Sequence, residues 1–581
     1  MKRLTLLAFF FLFLFGYINL QGQHTNILVA DSLLKSRGEV FFKFKVGSQQ
    51  EVNILTRIIS IDRVDGLEVF AYANASQFSE FRHQGYAYEI LTPPGLLLPE
   101  KDLLPGIEQQ HPGNTTTIWN FYPSYNQYVS YMVGFAQNHS EICKLDTIGT
   151  TIDNRLLLAV RISKNINLEE TEPQFFYTSS IHGDEITGYV LMLHLIDYLL
   201  SNYGIDPRIT NLINTTEIVI NPLANPDGTY HGGNNSVSGA VRYNANYVDL
   251  NRNYPDPKVG AHPDGNQWQT ETNAFMTYAY NNHFTMSANF HGGSEVFNYP
   301  WDTWSKNTAD YQWWQFVGRE WADTVHKYAV PGYFTYLNDG ITNGNAWYEI
   351  NGGRQDYMNY WHKCREVTVE ISETKILPTS ELLSFWDYNY HSFLNFIEES
   401  HYGFSGIVTD SVTGQPLKAK VFIPMFDIDS SEVFSRETNG YYMRPIYEGN
   451  YDVSFSDSGY VTKYVKNVQV SKWSSTTVNV QLRPLSYTSD NLGRGIGTIH
   501  ICPNPNDGDF FIDLPKNVNY PVTFQLYSCM GKLIYQTTWK FQSGSDKLQL
   551  SIHGLTPGIY TAKVSTENSV YANKLVIQSV K

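Results

Sequence analysis

Cysteine is scarce, with four residues in a chain of 581. A disulfide-stapled scaffold is therefore excluded, because such scaffolds are short and dense in cysteine. Cys143 and Cys364 stand apart in mid-chain, whereas Cys502 and Cys529 fall together near the end and could join if the chain matures in an oxidising compartment. Positive charge is in deficit too: 41 Lys and Arg against 56 Asp and Glu leave a formal net charge of -15. That balance argues against nucleic acid as a partner, whose binders present a basic face. Charged residues make up only 17% while 42% are hydrophobic and 15% aromatic, which excludes intrinsic disorder. Long apolar runs are missing after the first 22 residues, so no transmembrane span is expected in the mature chain.

The N-terminus reads "MKRLTLLAFFFLFLFGYINLQGQ", with two basic residues, an apolar core from Leu4 to Phe15 and smaller residues toward Gly22. That core is short for a bilayer span and marks 1–22 as a secretory signal peptide. A chain of this length is expected to hold several domains. Residues 24–95 alternate strand-like and helix-like patterns ("EVFFKFKV", "ASQFSEFRHQGY") as a small α/β unit, followed by a Pro-rich linker, 96–116, that contains Lys101. Across 117–402, apolar runs such as "PQFFYTSS", "TEIVINPL" and "CREVTVEIS" alternate with helical patterns such as "YVLMLHLIDYLL". This predicts an α/β domain with a mixed, mostly parallel sheet between helices. Residues 403–485 show short strands and turns, as expected of a β-sandwich; 486–498 reads as a linker and 499–581 as a second all-β sandwich.

In an α/β sheet, ligands bind beyond the carboxyl ends of the strands. "SSIHGDEITG" places His182 and Glu185 at such an end, three residues apart. A catalytic zinc takes three protein ligands and keeps one position open, so these two would supply part of a site. Spacing alone does not decide, because Glu80/His83 and Glu398/His401 share it on helical patterns without a partner. For a third ligand there are two "HGG" runs, at His231 and His291. His291 ends the strand-like "TMSANF", whereas His231 follows the turn signal "NPDGTY", and the strand-end rule favours His291. Asp249 is a candidate acceptor for a ligand imidazole proton. In "REVTVEISETK", alternation puts Glu366, Thr368 and Glu370 on one face, which offers Glu366 or Glu370 as a general base without choosing between them.

Six blocks in order, "HGDE", "NPDG", "VRYNANYVDLNRNYPD", "HGGSEVFNYPWD", "GITNGNAWYEINGGRQDYMNY" and "EVTVEISETK", resemble the zinc metallocarboxypeptidases, the funnelins, and within them the regulatory branch of carboxypeptidases E, M, N and D. The resemblance implies one Zn2+ held by His182, Glu185 and His291, and it selects Glu370 as the base that assists attack by zinc-bound water. It also implies that Arg242 stabilises the oxyanion, that Asn251 and Arg252 grip the substrate's terminal carboxylate, and that Tyr348 closes over it. Asp302, after "NYP", and Gln355, after the Gly-Gly pair, match the branch that removes C-terminal Lys or Arg. Arg354 beside Gln355 is expected to face away, as adjacent strand residues do.

Residues 403–485 resemble the transthyretin-like domain of the same branch. The tail, with "CPNPNDGDFFIDL" and "GLTPGIYTAKV", resembles the C-terminal sorting domain of the type IX secretion system of Bacteroidetes-type bacteria. Together these imply a secreted or outer-surface enzyme, exported through the periplasm of a Gram-negative bacterium, whose partners are peptide C-termini and the secretion machinery. Residues 24–95 are then expected to be a pro-region, released by cleavage near Lys101. The rival readings are a peptidoglycan-tailoring carboxypeptidase or amidase on the same fold, and an inactive surface-binding module.

Overall fold

A computed structural model of the chain describes residues 26–99, 102–103, 117–485, 496–514, 521–528, 531–540, 547–566 and 569–578. The signal peptide, Lys101, most of both linkers and Cys529, hence the expected Cys502–Cys529 pairing, lie outside the described residues. Two compact units result, the first comprising the chain to Val408 with 416–455 and 464–480, the second 409–415, 456–463 and the chain from Gln481 onward.

The N-terminal part of the first unit is a small α/β fold: β1 (Val40–Lys45), α1 (Gln49–Leu55), β2 (Ser60–Asp65), β3 (Glu68–Ala73), α2 (Ala75–His83) and β4 (Tyr88–Ile90). Its four strands are ordered β2-β3-β1-β4. Alternation in "VFFKFK" drives Val40, Phe42 and Phe44 into a core shared with Phe78 and Phe81 of α2. Asn74 caps α2 in a capping box with Gln77. The β2–β3 register slips between Ile61 and Arg63, so Asp62 is an unpaired bulge residue.

The catalytic-size domain follows: α3 (Tyr125–Asn138), β5 (Cys143–Thr150), β6 (Leu156–Ile162), β7 (Gln174–Ser179), α4 (Thr187–Asn202), α5 (Pro207–Thr215), β8 (Glu217–Asn221), α6 (Thr270–Tyr280), β9 (Phe284–His291), β10 (Ser294–Tyr299), α7 (Tyr311–Tyr328), β11 (Ile341–Asn343), α8 (Arg354–His362), β12 (Arg365–Ser372) and α9 (Leu382–Glu398). Eight strands form one sheet in the order β11-β10-β12-β9-β7-β8-β6-β5. The central neighbours β12, β9, β7 and β8 run parallel, while β10–β12, β6–β8 and β5–β6 are antiparallel. Every residue of β7, β8 and β9 is buried, as expected of strands covered on both faces, so even the polar Thr285, Ser287 and Asn289 that alternate along β9 lie in the interior. The parallel strands therefore end together on one edge, and the loops after β7, β8, β9 and β12 converge there.

Beyond α9 come β13 (Gly403–Asp410), β14 (Lys420–Phe422), β15 (Val433–Phe434) and β16 (Tyr441–Pro445). Residues 416–455 belong with the catalytic domain because a buried ion network joins them: Arg444 reaches Asp310 and Asp427 at 2.8 Å, and Arg365 reaches Asp310 at 2.9 Å. Within the second unit, residues 496–578 form a five-stranded and a three-stranded sheet around Phe510, Phe524, Leu550, Val564 and Ile577. Among the described residues no helix is long and apolar enough to cross a membrane.

Candidate metal centre and active site

His182 follows β7, Glu185 precedes α4, and His291 is the last residue of β9. Their donor atoms lie within 4.8 Å of one another and all three residues are buried. Both imidazoles turn the same nitrogen inward: His182 Nδ1 is 3.0 Å from Glu185 Oε1, and His291 Nδ1 is 2.9 Å from Glu185 Oε2. The outward nitrogens are held from behind, His182 Nε2 by Asp249 and His291 Nε2 by the Asn289 amide, each at 3.0 Å. Outer partners of this kind fix the orientation of metal-binding histidines. Burial lowers the His291 pKa to about 4, so the ring is neutral, as a ligand must be. Burial alone would raise the Glu185 carboxyl, but His182, Lys375 and His291 overcome it and hold the group well below its ordinary value. Two imidazoles and one ionised carboxylate, converging at a buried site, fit a zinc ion with an open fourth position.

Local packing explains the two short motifs. A side chain on Gly183 of "HGDE" would meet the Gly228 backbone of "NPDG" at 2.4 Å, so the loops close only through these glycines. Asn225 Nδ2 then donates to the carbonyls of Ile181 and Arg242, tying three motif loops together.

Glu370 lies opposite His291 in the β12–β9 ladder, which carries its carboxyl to the metal side. Its Oε2 is buried without a hydrogen-bond partner, and burial with neighbouring Glu185 and Asp62 pushes its pKa well above the ordinary range. Glu366, two pleat repeats back at ~13 Å along the strand, is instead paired with Arg354 and Ser287. The structure thus separates two residues that alternation left equivalent. His231 is exposed on its loop and is not among the residues that line the cavity beside Glu185.

Asn251 and Arg252 sit on one 3-10 turn, capped by Asp249, with Arg242 nearby donating through Nε to Asp249 and through Nη1 to Glu185. Asp302 is buried below them and accepts from Asn298 and from Gln355, each at 3.1 Å. Burial raises Asp302 to about 6. Asp356 accepts the backbone N–H groups of Asp302 and Thr303 and so holds that stretch in place. Arg354 does turn away, toward Thr178 and Glu366, but the reason differs from the expected strand alternation: Arg354 and Gln355 open helix α8, where successive side chains are rotated around the axis.

The N-terminal domain reaches into this centre. Asp62, the bulge residue of β2, pairs with Arg242 at 3.0 Å and with Lys375 at 2.5 Å. Arg252 donates to the Ile61 carbonyl, and the Tyr348 hydroxyl lies 3.3–3.4 Å from the carbonyls of Ile61 and Asp62. Ser60 bonds Asp249 and accepts from Arg242, Tyr72 donates to Asp184 at 2.6 Å, and Glu39 accepts the Arg242 N–H. Only about 20 Å³ of cavity remains between Asp62, the three metal-type ligands, Arg242, Arg252, Tyr348 and Glu370, room for about one water.

A zinc carboxypeptidase profile matches residues 128–392, and a secretion-system C-terminal sorting domain profile matches 500–578. Carboxypeptidase D of Mus musculus is 34% identical over 383 residues, covering 63% of this chain and 27% of that protein. Carboxypeptidase M of Mus musculus is 32% identical over 397 residues, covering 62% of this chain and 84% of that protein. The chain belongs to the zinc carboxypeptidase family. It spans only about a quarter to a third of the length of the carboxypeptidases D it matches. A carboxypeptidase A structure from Helicoverpa armigera superposes with a TM-score of 0.48 at 15% identity, over 62% of this chain and 96% of that one. The sorting domain marks this zinc carboxypeptidase homologue as a secreted or cell-surface protein.

The sequence reading did not single out Asn289, Asn298 or Asp356, and it also missed five further groups at the centre, Lys375, Asp62, Ser60, Tyr72 and Glu39. Lys375 closes the last block but lies past the end of β12, where alternation says nothing about direction. The other four belong to a separate domain, and nothing in their local pattern points to a partner over 100 positions away. Gly344 is a further case. A side chain there would meet Asp302 Oδ1 at 1.7 Å and Asn298 Oδ1 at 2.8 Å. Gly344→Ala is expected to displace Asp302 and lower kcat/KM for Lys-terminated peptides by about tenfold or more, at about 1–3 kcal/mol for a disturbed pocket contact. Unchanged kinetics for that variant would remove Gly344 from the pocket's design.

Proposed function

We propose that the chain is a secreted carboxypeptidase that hydrolyses the last peptide bond of peptides and proteins, prefers C-terminal Lys or Arg, and is held latent by its N-terminal domain. The observation that carries this is the convergence of His182, Glu185 and His291 with an unpartnered Glu370 carboxyl and the cationic pair Arg242 and Arg252. Zinc, when bound by those three residues, would supply an activated water and a Lewis-acid centre at neutral pH. Glu370 takes the proton from the attacking water and delivers it to the leaving amine, a role suited to a buried carboxyl whose pKa is raised above the ordinary range. Arg242 holds the developing oxyanion. Asn251 and Arg252 receive the terminal carboxylate, the guanidinium matching it in charge and geometry, and Tyr348 closes over it.

The preference rests on Asp302. A buried carboxylate rewards a substrate cation and rejects an apolar side chain. A panel of peptides differing only in the last residue, assayed with and without chelator, tests both points: activity is expected to need metal and to favour Lys and Arg. A preference for Phe or Leu would overturn the role of Asp302. The pH dependence is specific. With its pKa raised to about 6, Asp302 is neutral below that pH and anionic above it. KM for a Lys-terminated peptide is therefore expected to fall as pH rises through about 6, while KM for a Leu-terminated peptide does not follow it; parallel profiles would contradict the assignment.

Latency rests on β2. Its carbonyls and the Asp62 carboxylate occupy Arg242, Arg252, Lys375 and Tyr348, the same groups a substrate terminus would need. The domain at 24–95 then acts as a pro-region released by cleavage in the linker around Lys101.

A further inference from the structure

A second cavity lies at the opposite end of the catalytic sheet. It has a volume of about 350 Å³, within the range of small-molecule sites, and opens where β9 begins and α8 ends, against β15 and β16. His291 and Phe284 terminate the same strand, so ~23 Å of β9 separates this cavity from the metal-type centre. Its lining is unlike the rest of the chain. Lys363, Lys418, Arg436, His283 and His362 face it and no carboxylate does, although acidic residues outnumber basic ones 56 to 41 overall.

Burial lowers His362 to about 4 and holds His283 below the ordinary imidazole value, so the positive charge on the lining comes from Lys363, Lys418 and Arg436. Lys363, held with φ of 58° at the end of α8, donates to the Tyr360 carbonyl and the Ser430 hydroxyl. Arg436 is buried, donates to the carbonyls of Glu170 and Glu172, and has the Glu169 carboxylate only at 3.8 Å. Burial lowers the pKa of both, and the carboxylates of Glu432 near Lys363 and Glu169 near Arg436 offset only part of it. Three large aromatic side chains on the lining are also left open to solvent: Tyr280 is 80% exposed, and Trp361 and Phe434 are each 42% exposed. A ligand that satisfies both features carries an anionic group and a ring face with C–H bonds to lay on the aromatics. Acidic sugars combine the two. A cavity of about 350 Å³ admits one or two sugar units, not a tracked polyanion backbone, which needs an extended basic groove.

We propose that this cavity is an acidic-saccharide site, binding a carboxylate- or sulfate-bearing sugar unit through Lys363, Lys418 and Arg436 with the ring stacked on Trp361 and Phe434. In a secreted hydrolase it would hold the enzyme on acidic glycan at a place ~23 Å along β9 from the metal-type centre. The test is calorimetric titration of the full chain with a galacturonate disaccharide, a sulfated disaccharide, the neutral disaccharide cellobiose, and AMP. Binding of one or both acidic sugars is expected, falling with added salt, with cellobiose and AMP at least about tenfold weaker. Carboxylate and sulfate arms distinguish the anionic group. Lys418→Glu and Trp361→Ala, both at exposed positions, are expected to weaken the acidic sugar by about tenfold or more with peptide hydrolysis and circular dichroism unchanged. No acidic-sugar binding, equal binding of AMP, or binding that survives both substitutions would each overturn the proposal.

Discussion

Glu370→Gln is expected to lower kcat by about 10²–10⁴-fold, the contribution of a positioned acid–base group, while the protein binds zinc as tightly as before. The separation of the two effects follows from the geometry. The donor atoms of His182, Glu185 and His291 form a complete set without Glu370, and the glutamate faces the same small cavity from the neighbouring strand. Glutamine keeps the shape and loses only proton transfer. Metal analysis and turnover measured on one preparation decide it, and near-native turnover with full zinc would remove Glu370 as the base. Glu366→Gln is the informative contrast. Its carboxylate is locked by Arg354 and Ser287, so that change should cost stability by leaving the buried Arg354 charge without its partner.

Cutting the linker around Lys101 and separating the two pieces is expected to raise kcat/KM by about 100-fold or more. A substrate terminus that enters the intact chain must first displace Asp62 from Arg242 and Lys375 and the β2 carbonyls from Arg252 and Tyr348. Hydrogen bonds to buried charged groups are worth about 1.5–3 kcal/mol each, and every 1.4 kcal/mol is tenfold. Asp62→Asn in the uncut chain preserves the bulge and removes the ion pairs, and should give part of that gain. The measurement is the rate on a Lys-terminated peptide before and after controlled proteolysis. A separated catalytic piece no more active than the intact chain would mean that β2 is part of the working site and not a plug.

The catalytic centre was unusually legible because its residues sit at strand ends inside contiguous motif blocks. The strand-end rule favoured His291 over His231, the resemblance joined it to His182 and Glu185, and their approach follows from β7 and β9 being parallel neighbours. Arg242, Asn251 and Arg252 needed the resemblance, because they lie in the long irregular loop between β8 and α6, where no periodicity constrains direction. Glu366 and Glu370 show the limit most clearly. A period of two gives them the same face, and only the register of β12 against β9 aligns Glu370 with His291. Arg354 shows a correct outcome reached for the wrong local reason, since a helix start and a strand both turn it from Gln355.

Composition and motif order by themselves pointed to an acidic, multidomain chain with two histidines and a glutamate near strand ends, and the order of the motif blocks carried the resemblance to the zinc carboxypeptidases, whose profile matches 128–392. Those features are local, carried by residue type and short spacing. Tertiary structure decided what acts across distance: that a bulge in β2 carries Asp62 to Arg242 and Lys375, that Gly344 leaves room for Asp302, and that Lys363, Lys418 and Arg436 from separate segments meet in one cavity. The physical reason is the same in each case. Coulombic and steric effects depend on separation in space, which the chain sets only once its sheets have paired and its domains have packed.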